Sequence, residues 1–299
     1  MDLLNLNRHT SAWMTVVLCL ALVGSACDDP VRTRGFDDEP DEPEMEWPDN
    51  PQWQQVWGDE FQYQGAPDRA KWTFETGGEG WGNQEAQFYT DRRDNARVDG
   101  ENLIIEAKRE AYSGNSYTSA RLNSQETWTY GRYEIRAKLP SGRGTWPALW
   151  MLAKSDTYGD QYWPDNGEID IMEHVGYDEG VVHATVHTDA YNHLQNTQRG
   201  NSKTVPTATS EFHVYAMEWT PSEIRAFIDD ELYFQFANER RSTSSATYAE
   251  WPFDQPFFLL MNIAVGGTWG GAEGIDDSVF PQTMEIDYVR VYQPESLIE

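Results

Sequence analysis

From Trp53 onward the chain shows strand signals at short intervals, while apolar residues at helical spacing are almost absent. Arg132-Tyr133-Glu134-Ile135-Arg136-Ala137-Lys138-Leu139 alternates polar and apolar without a break, the pattern of a strand with one buried face. Residues 256–265 are almost wholly apolar, as a strand covered on both faces should be. Residues 224–236 read as a hairpin turning at Asp229-Asp230-Glu231, with Leu232, Phe234 and Phe236 on one face. Residues 103–107 and 284–292 add two more strands. Many short strands with Gly/Pro turns and no helices predict an all-β sandwich of two sheets. No internal repeat divides it, so residues 50–295 are expected to form one domain.

One strand candidate carries charge where apolar residues dominate. Residues 167–174 read Gly-Glu-Ile-Asp-Ile-Met-Glu-His and hold Glu168, Asp170 and Glu173. On a regular strand Glu168 and Asp170 share a face and Glu173, five positions on, points the other way. A β-bulge between Asp170 and Glu173 restores the parity, so that all three acids line one surface. A helix scatters offsets of two and five around its cylinder. Paired carboxylates suit glycosidic cleavage, one attacking the anomeric carbon while the other, kept protonated, donates to the leaving oxygen. An acidic strand edge, or a calcium site built from the same oxygens, remains the alternative from these residues alone.

Charge narrows the partners. The 299 residues carry 50 acidic and 22 basic side chains, a formal net charge of −28, with ten of the acids and three of the bases in residues 1–46. Such a surface repels phosphate backbones and disfavours sulfated polymers, so no nucleic-acid partner is expected and a neutral polysaccharide fits best. Thirteen tryptophans and 15 tyrosines exceed what a core of this size requires, and some are expected as platforms for the flat faces of sugars.

The N-terminal segment reads as an export signal. Residues 12–23 form an uncharged apolar run too short to span a bilayer, followed by small residues. Gly24-Ser25-Ala26-Cys27 suggests a lipoprotein cleavage site with Cys27 acylated, although Gly24 stands where Leu is usual and Arg8 is the one nearby base. Ordinary cleavage after Ala26 is the alternative. Residues 1–26 are thus expected to be a signal peptide, and acidic, Pro-rich residues 27–49 an extended linker. The product would be a cell-envelope lipoprotein or a secreted protein. Cys19 and Cys27 are the two cysteines, so the domain has no disulfide framework.

Several segments together resemble family-16 glycoside hydrolases, in the laminarinase-like branch. Glu168-Ile-Asp170-Ile-Met-Glu173 is similar to the active-site signature in its longer form. Trp81-Gly-Asn83-Gln-Glu85-Ala-Gln87-Phe-Tyr89, Tyr117-Thr-Ser-Ala-Arg121-Leu, the Gly131 to Gly142 stretch, Trp146-Pro-Ala-Leu-Trp150-Met-Leu and Val265-Gly-Gly-Thr-Trp269 follow in the family's order. The resemblance implies a β-jelly roll with a concave substrate cleft and a retaining mechanism. Glu168 would be nucleophile, Glu173 general acid/base, and Asp170 a partner to both. It also implies substrate contacts from Asn83, Arg121, Trp146, Trp150 and Trp269, while His187, which shares parity with His183 on the strand after the acidic one, is expected from that spacing to face the cleft. A structural calcium would be held by Glu60, the Gly100 carbonyl and Asp287, and no cofactor is needed for catalysis. The expected activity is endo-hydrolysis of β-1,3-glucans of the laminarin or mixed β-1,3/1,4 type, by a monomer. Cleavage of a neutral galactan such as agarose, or β-glucan binding without catalysis, are the alternatives.

Overall fold

The computed structural model describes residues 47–48 and 51–298, all within the compact unit Met45–Glu299. The expected signal segment, Cys27 and most of the linker lie outside the described residues. Trp47, at the linker's end, packs its ring against Trp53 and Tyr130.

Two sheets face each other. The seven-stranded sheet runs, edge to edge, Arg199–Thr204, Val181–His187, Glu168–His174, Thr145–Ala153, Phe257–Val265, Arg121–Ser124, Trp72–Glu75, every pair antiparallel. The larger sheet is centred on Gly131–Lys138 and Gln282–Pro294. Its antiparallel ladders are joined by one short parallel pairing, Gln87–Tyr89 with Asn115–Ser119. This is the two-sheet sandwich that the alternation predicts. Among the described residues no helix is long and apolar enough to cross a membrane.

Period-two alternation decides which side chains meet between the sheets. Gly131–Lys138 alternates buried and half-buried along its whole length. Leu149 and Met151, Leu259, Met261 and Ile263, and Val182, Ala184 and Val186 send buried side chains into the core from the smaller sheet. Tyr133, Ile135, Tyr215, Met217, Trp219, Ile286 and Val289 meet them from the larger one. Trp72, Trp219 and Trp251 are fully buried, so these indoles are core.

The hairpin forms at the expected place, with Asp229 and Asp230 both at positive φ (50° and 62°) as a tight primed turn requires. One detail differs. Phe234 and Phe236 are buried, but Leu232 is 46% exposed. The register slips by one residue between Ala226 and Phe227, so Leu232 pairs with Phe227 on the opposite face.

Candidate active site

The acidic strand contains the bulge. Against its neighbour on one side, Asp170 pairs with Thr185 and Glu173 with His183, so that two residues, Ile171 and Met172, stand opposite the single Ala184. Against the other, Trp150 pairs with Asp170 and Leu149 with Met172, leaving Ile171 without an opposite number. Ile171 and Met172 are both buried, which anchors the extra residue in the core. Glu168, Asp170 and Glu173 consequently share one face with Trp146, Ala148, Trp150 and Leu152 on one side and His183, Thr185 and His187 on the other.

That face is the floor of a groove. One cavity of ≈ 390 Å³ is lined by Trp81, Asn83, Glu85, Arg121, Trp150, Trp163 and the acids. A second of ≈ 450 Å³ is lined by His183, Thr185, His187, Gln198 and Trp269. They share Asn83, Trp146, Glu168, Glu173 and His193, so the carboxylates sit where the two halves meet.

The acids are held in distinct settings. Glu173 is 9% exposed, and its Oε1 accepts a hydrogen bond from Trp146 Nε1 at 3.0 Å. Burial first, and the Asp170 charge second, push its carboxyl up from the ordinary range, while His187 and the Trp146 bond pull back. Glu168 is raised by burial and by Asp170, with His187 opposing. Asp170 is raised by burial alone. His187 Nε2 stands 3.4 Å from Asp170 Oδ2 and 3.8 Å from Glu168 Oε1. Burial thus raises all three carboxyls, which favours fewer than three charges on the row at neutral pH.

All six expected sugar-contact residues border the groove. Trp146, Trp150 and Trp269 are half-buried, with Trp269 edge-on to Trp146 at 5.6 Å. Trp146 also has a task beyond the expected sugar contact, since its N–H is committed to Glu173. Arg121 pairs with Glu75 at 2.6 Å, and its guanidinium lies between the rings of Trp81 (4.8 Å) and Trp150 (4.7 Å). The Asn83 carbonyl accepts from Thr268 N at 2.7 Å, tying its loop to the one carrying Trp269.

Along the groove wall runs a polar chain that sequence reasoning missed. Trp150 Nε1 donates to Asn262 Oδ1 (2.7 Å), and Asn262 Nδ2 to Tyr89 Oη (3.0 Å). Tyr89 Oη in turn donates to Glu85 Oε2 (3.1 Å), which also accepts from Gln87 Nε2 (2.6 Å). Asn83 Nδ2 reaches Glu85 Oε1 at 3.4 Å. Burial pushes the Glu85 carboxyl up, and these bonds with the Arg121 charge pull it back. The chain takes up the Trp150 N–H, so the indole has no free polar atom to offer the groove. Trp163 and His193 were missed as well; their rings lie 5.0 Å apart, and His193 stands 5.2 Å from His187. Trp163 lies in the four-residue helical segment Tyr162–Asp165, with extended φ/ψ of its own, and His193 in a turn, and neither stretch is long enough to carry a periodic signal.

The expected calcium ligands sit at another place. The strands ending near Glu60 and starting near Gly100 both pair with Gln282–Pro294, which carries Asp287. Glu60 is gripped by Arg290 through two bonds of 2.9 and 2.8 Å. Asp287, at a register slip, meets Arg136 at 2.5 Å. Both carboxylates therefore already have guanidinium partners.

A jelly-roll sandwich with a row of three acids across an open groove points to a glycoside hydrolase, and this chain belongs to family 16 of that class. Residues 82–290 match the family described as Glycosyl hydrolases family 16. The chain is similar to the Beta-glucanase of Rhodothermus marinus, 55% identical over 98% of this chain and 97% of that protein. Its fold matches the X-ray structure of the laminarinase from Rhodothermus marinus with a TM-score of 0.81, at 64% identity over 82% of this chain and 98% of that one. It also matches a non-specific endo-beta-1,3(4)-glucanase of family GH16 that presents 1,3-beta-D-cellobiosyl-glucose at its active site. There the TM-score is 0.76 and the identity 42%, over 81% and 95% of the two chains.

Proposed function

We propose that the protein is an endo-acting, retaining hydrolase of β-1,3-glucosidic bonds in laminarin-like or mixed β-1,3/1,4-glucans. The observation that carries this reading is the position of the acids at the junction of the two half-grooves, with room for sugar on both sides of the cut. The β-glucanase relatives favour a glucan over a galactan, and the retained acids favour an enzyme over a binding protein.

In this reading Glu168 attacks the anomeric carbon while Glu173 gives its proton to the departing oxygen, leaving a glycosyl ester on Glu168. Glu173 then takes a proton from water as that water cleaves the ester and regenerates Glu168. Retention needs carboxyl groups about 5–5.5 Å apart, and the bulge supports it by returning Glu173 to the face of Glu168. Burial keeps Glu173 protonated before bond cleavage. The Trp146 N–H then stabilises the carboxylate that remains. Asp170 stands between the two on the same face, its Oδ2 3.4 Å from His187 Nε2. Asn83, Arg121, Trp146, Trp150, His187 and Trp269 contact the polymer, and no cofactor enters the chemistry.

Reducing-end release on laminarin, curdlan, barley mixed-linkage glucan and agarose, with Glu168→Ala alongside, tests the reading. Rapid release from laminarin, lost in the variant, is expected. Turnover of agarose alone would move the substrate, and a fully active Glu168→Ala would sink the site assignment.

The same reading includes export and action as a monomer, the latter checked by light scattering. Cys27 is acylated after removal of residues 1–26, or the protein is secreted by ordinary cleavage; the mass of the mature N-terminus separates the two. A calcium at Glu60, the Gly100 carbonyl and Asp287 completes it. The donors are hard oxygens of the right type, and the ion competes there with Arg290 and Arg136.

A further inference from the structure

The geometry points to a second ligand for the acidic row: a divalent cation of the zinc class, bound by Glu168, Asp170 and His187, that shuts the enzyme off. It rests on the active-site reading above but not on the choice of glucan. The three donor atoms lie within 4.8 Å of one another, with His187 Nε2 3.4 Å from Asp170 Oδ2 and 3.8 Å from Glu168 Oε1. Tetrahedral zinc, with bonds of about 2.0–2.2 Å, holds its ligands roughly 3.3–3.6 Å apart. The ion enters this triangle with small side-chain movements.

The site is more than a cluster of acids. The Asp170 side chain is 4% exposed, and its Oδ2 has no hydrogen-bond partner. That oxygen stands 3.4 Å from the His187 ring nitrogen Nε2, itself on a side chain 7% exposed. A buried lone pair facing an imidazole nitrogen is what a metal bridges when it takes the place of the nitrogen's proton. Two carboxylates and one imidazole match the three-ligand zinc sites that keep a fourth position open. Here that position opens into the groove, because Glu168 lines both of its halves. The nitrogen also sets selectivity, since imidazole suits zinc and copper, while calcium and magnesium seek oxygen. Glu168 bound to an ion no longer has its lone pair free for the anomeric carbon, so the cation competes with turnover.

Calorimetric titration of the full protein with zinc chloride tests this, followed in parallel by hydrolysis. Expected are one tight site per chain, inhibition with the same midpoint, reversal by chelator, and no inhibition by excess calcium or magnesium. His187→Gln should weaken zinc binding more than about ten-fold, since even outer-shell partners of metal ligands are worth 10–100-fold. Asp170→Asn should act likewise, and a cooperative melt for each variant shows that it is folded. Cobalt(II) supplies a readout independent of turnover: its intense visible absorption in four-coordinate sites should appear in the native protein and vanish in His187→Gln. His213→Ala, on the other sheet, controls for surface histidines and should bind zinc as the native chain does. Undetectable zinc binding, or binding unchanged in both His187→Gln and Asp170→Asn, overturns the site. Intact zinc binding by a protein that cleaves no glucan would count against the functional reading alone.

Discussion

Glu173→Gln should make the protein more stable, and increasingly so as pH rises. The variant keeps the volume and an oxygen for the Trp146 N–H, now 3.0 Å from Oε1, but removes the charge from a side chain that is 9% exposed. In the fold, burial and then the Asp170 charge raise the Glu173 carboxyl from 4.5 to about 8. Its folded pKa lies above the unfolded one, so the native state binds the proton more tightly. The stability this confers is fully present below about pH 4.5 and is lost as pH rises through about 8. Between pH 5 and pH 7 roughly two units of that difference accumulate, about 2.7 kcal/mol at 1.36 kcal/mol per unit. Sharing of protons with Glu168 and Asp170 brings this to about 2 kcal/mol. At ~2–4 °C per kcal/mol for a domain of this size, the gap in melting temperature between variant and native should widen by about 4–8 °C from pH 5 to pH 7. Differential scanning calorimetry in buffers of matched ionic strength reads it directly. A gap that stays constant or narrows over that interval would refute the view that burial keeps Glu173 protonated.

Three other outcomes are expected. Asn262→Ala strips the acceptor from Trp150 Nε1 and the donor from Tyr89 Oη. It should raise KM for laminarin about ten-fold and change kcat less, at about 1–2 kcal/mol of lost positioning; a larger effect on kcat than on KM would place Trp150 elsewhere in the reaction. Gly270→Ala would bring a Cβ to 2.6 Å from the Trp146 Cβ and 2.7 Å from the Gly266 carbonyl oxygen. By displacing the partner of Glu173 it should lower kcat about ten-fold, and steady-state kinetics with unchanged kcat would show that the indole tolerates the shift. Chelator should lower the melting temperature by several degrees if calcium is held by Glu60, Gly100 and Asp287; an unmoved melt would leave Arg290 and Arg136 as the sole partners of those carboxylates.

The row of acids was legible because a strand has only two faces. An offset of five between Glu168 and Glu173 demands either opposite faces or one extra residue, and the buried apolar pair Ile171 and Met172 shows where that residue goes. The half-buried strand at Gly131–Lys138 and the Asp229-Asp230 turn were legible for the same local reason. Leu232 was misplaced because its face depends on a slip against Phe227, which appears only once two strands pair. The network that takes up the Trp150 N–H joins residues as far apart as Tyr89 and Asn262, 173 positions, and no local pattern links them. Glu60 and Arg290 are 230 positions apart, so an acid that reads as a free metal ligand in the sequence meets an arginine in the fold.

The extra residue in the acidic strand also bears on how such a chain can change. Deleting Met172 would leave Glu-Ile-Asp-Ile-Glu, in which plain alternation puts the three acids on one side again. Loss of a single codon here therefore inverts no side chain downstream, whereas loss of Ala184, Thr185 or Val186 from the unbulged Val181–His187 strand would put His183 and His187 on opposite faces. The bulge acts as a reading-phase buffer: length can vary by one at the reacting centre while the orientation of the row is preserved, and the local bend is what changes.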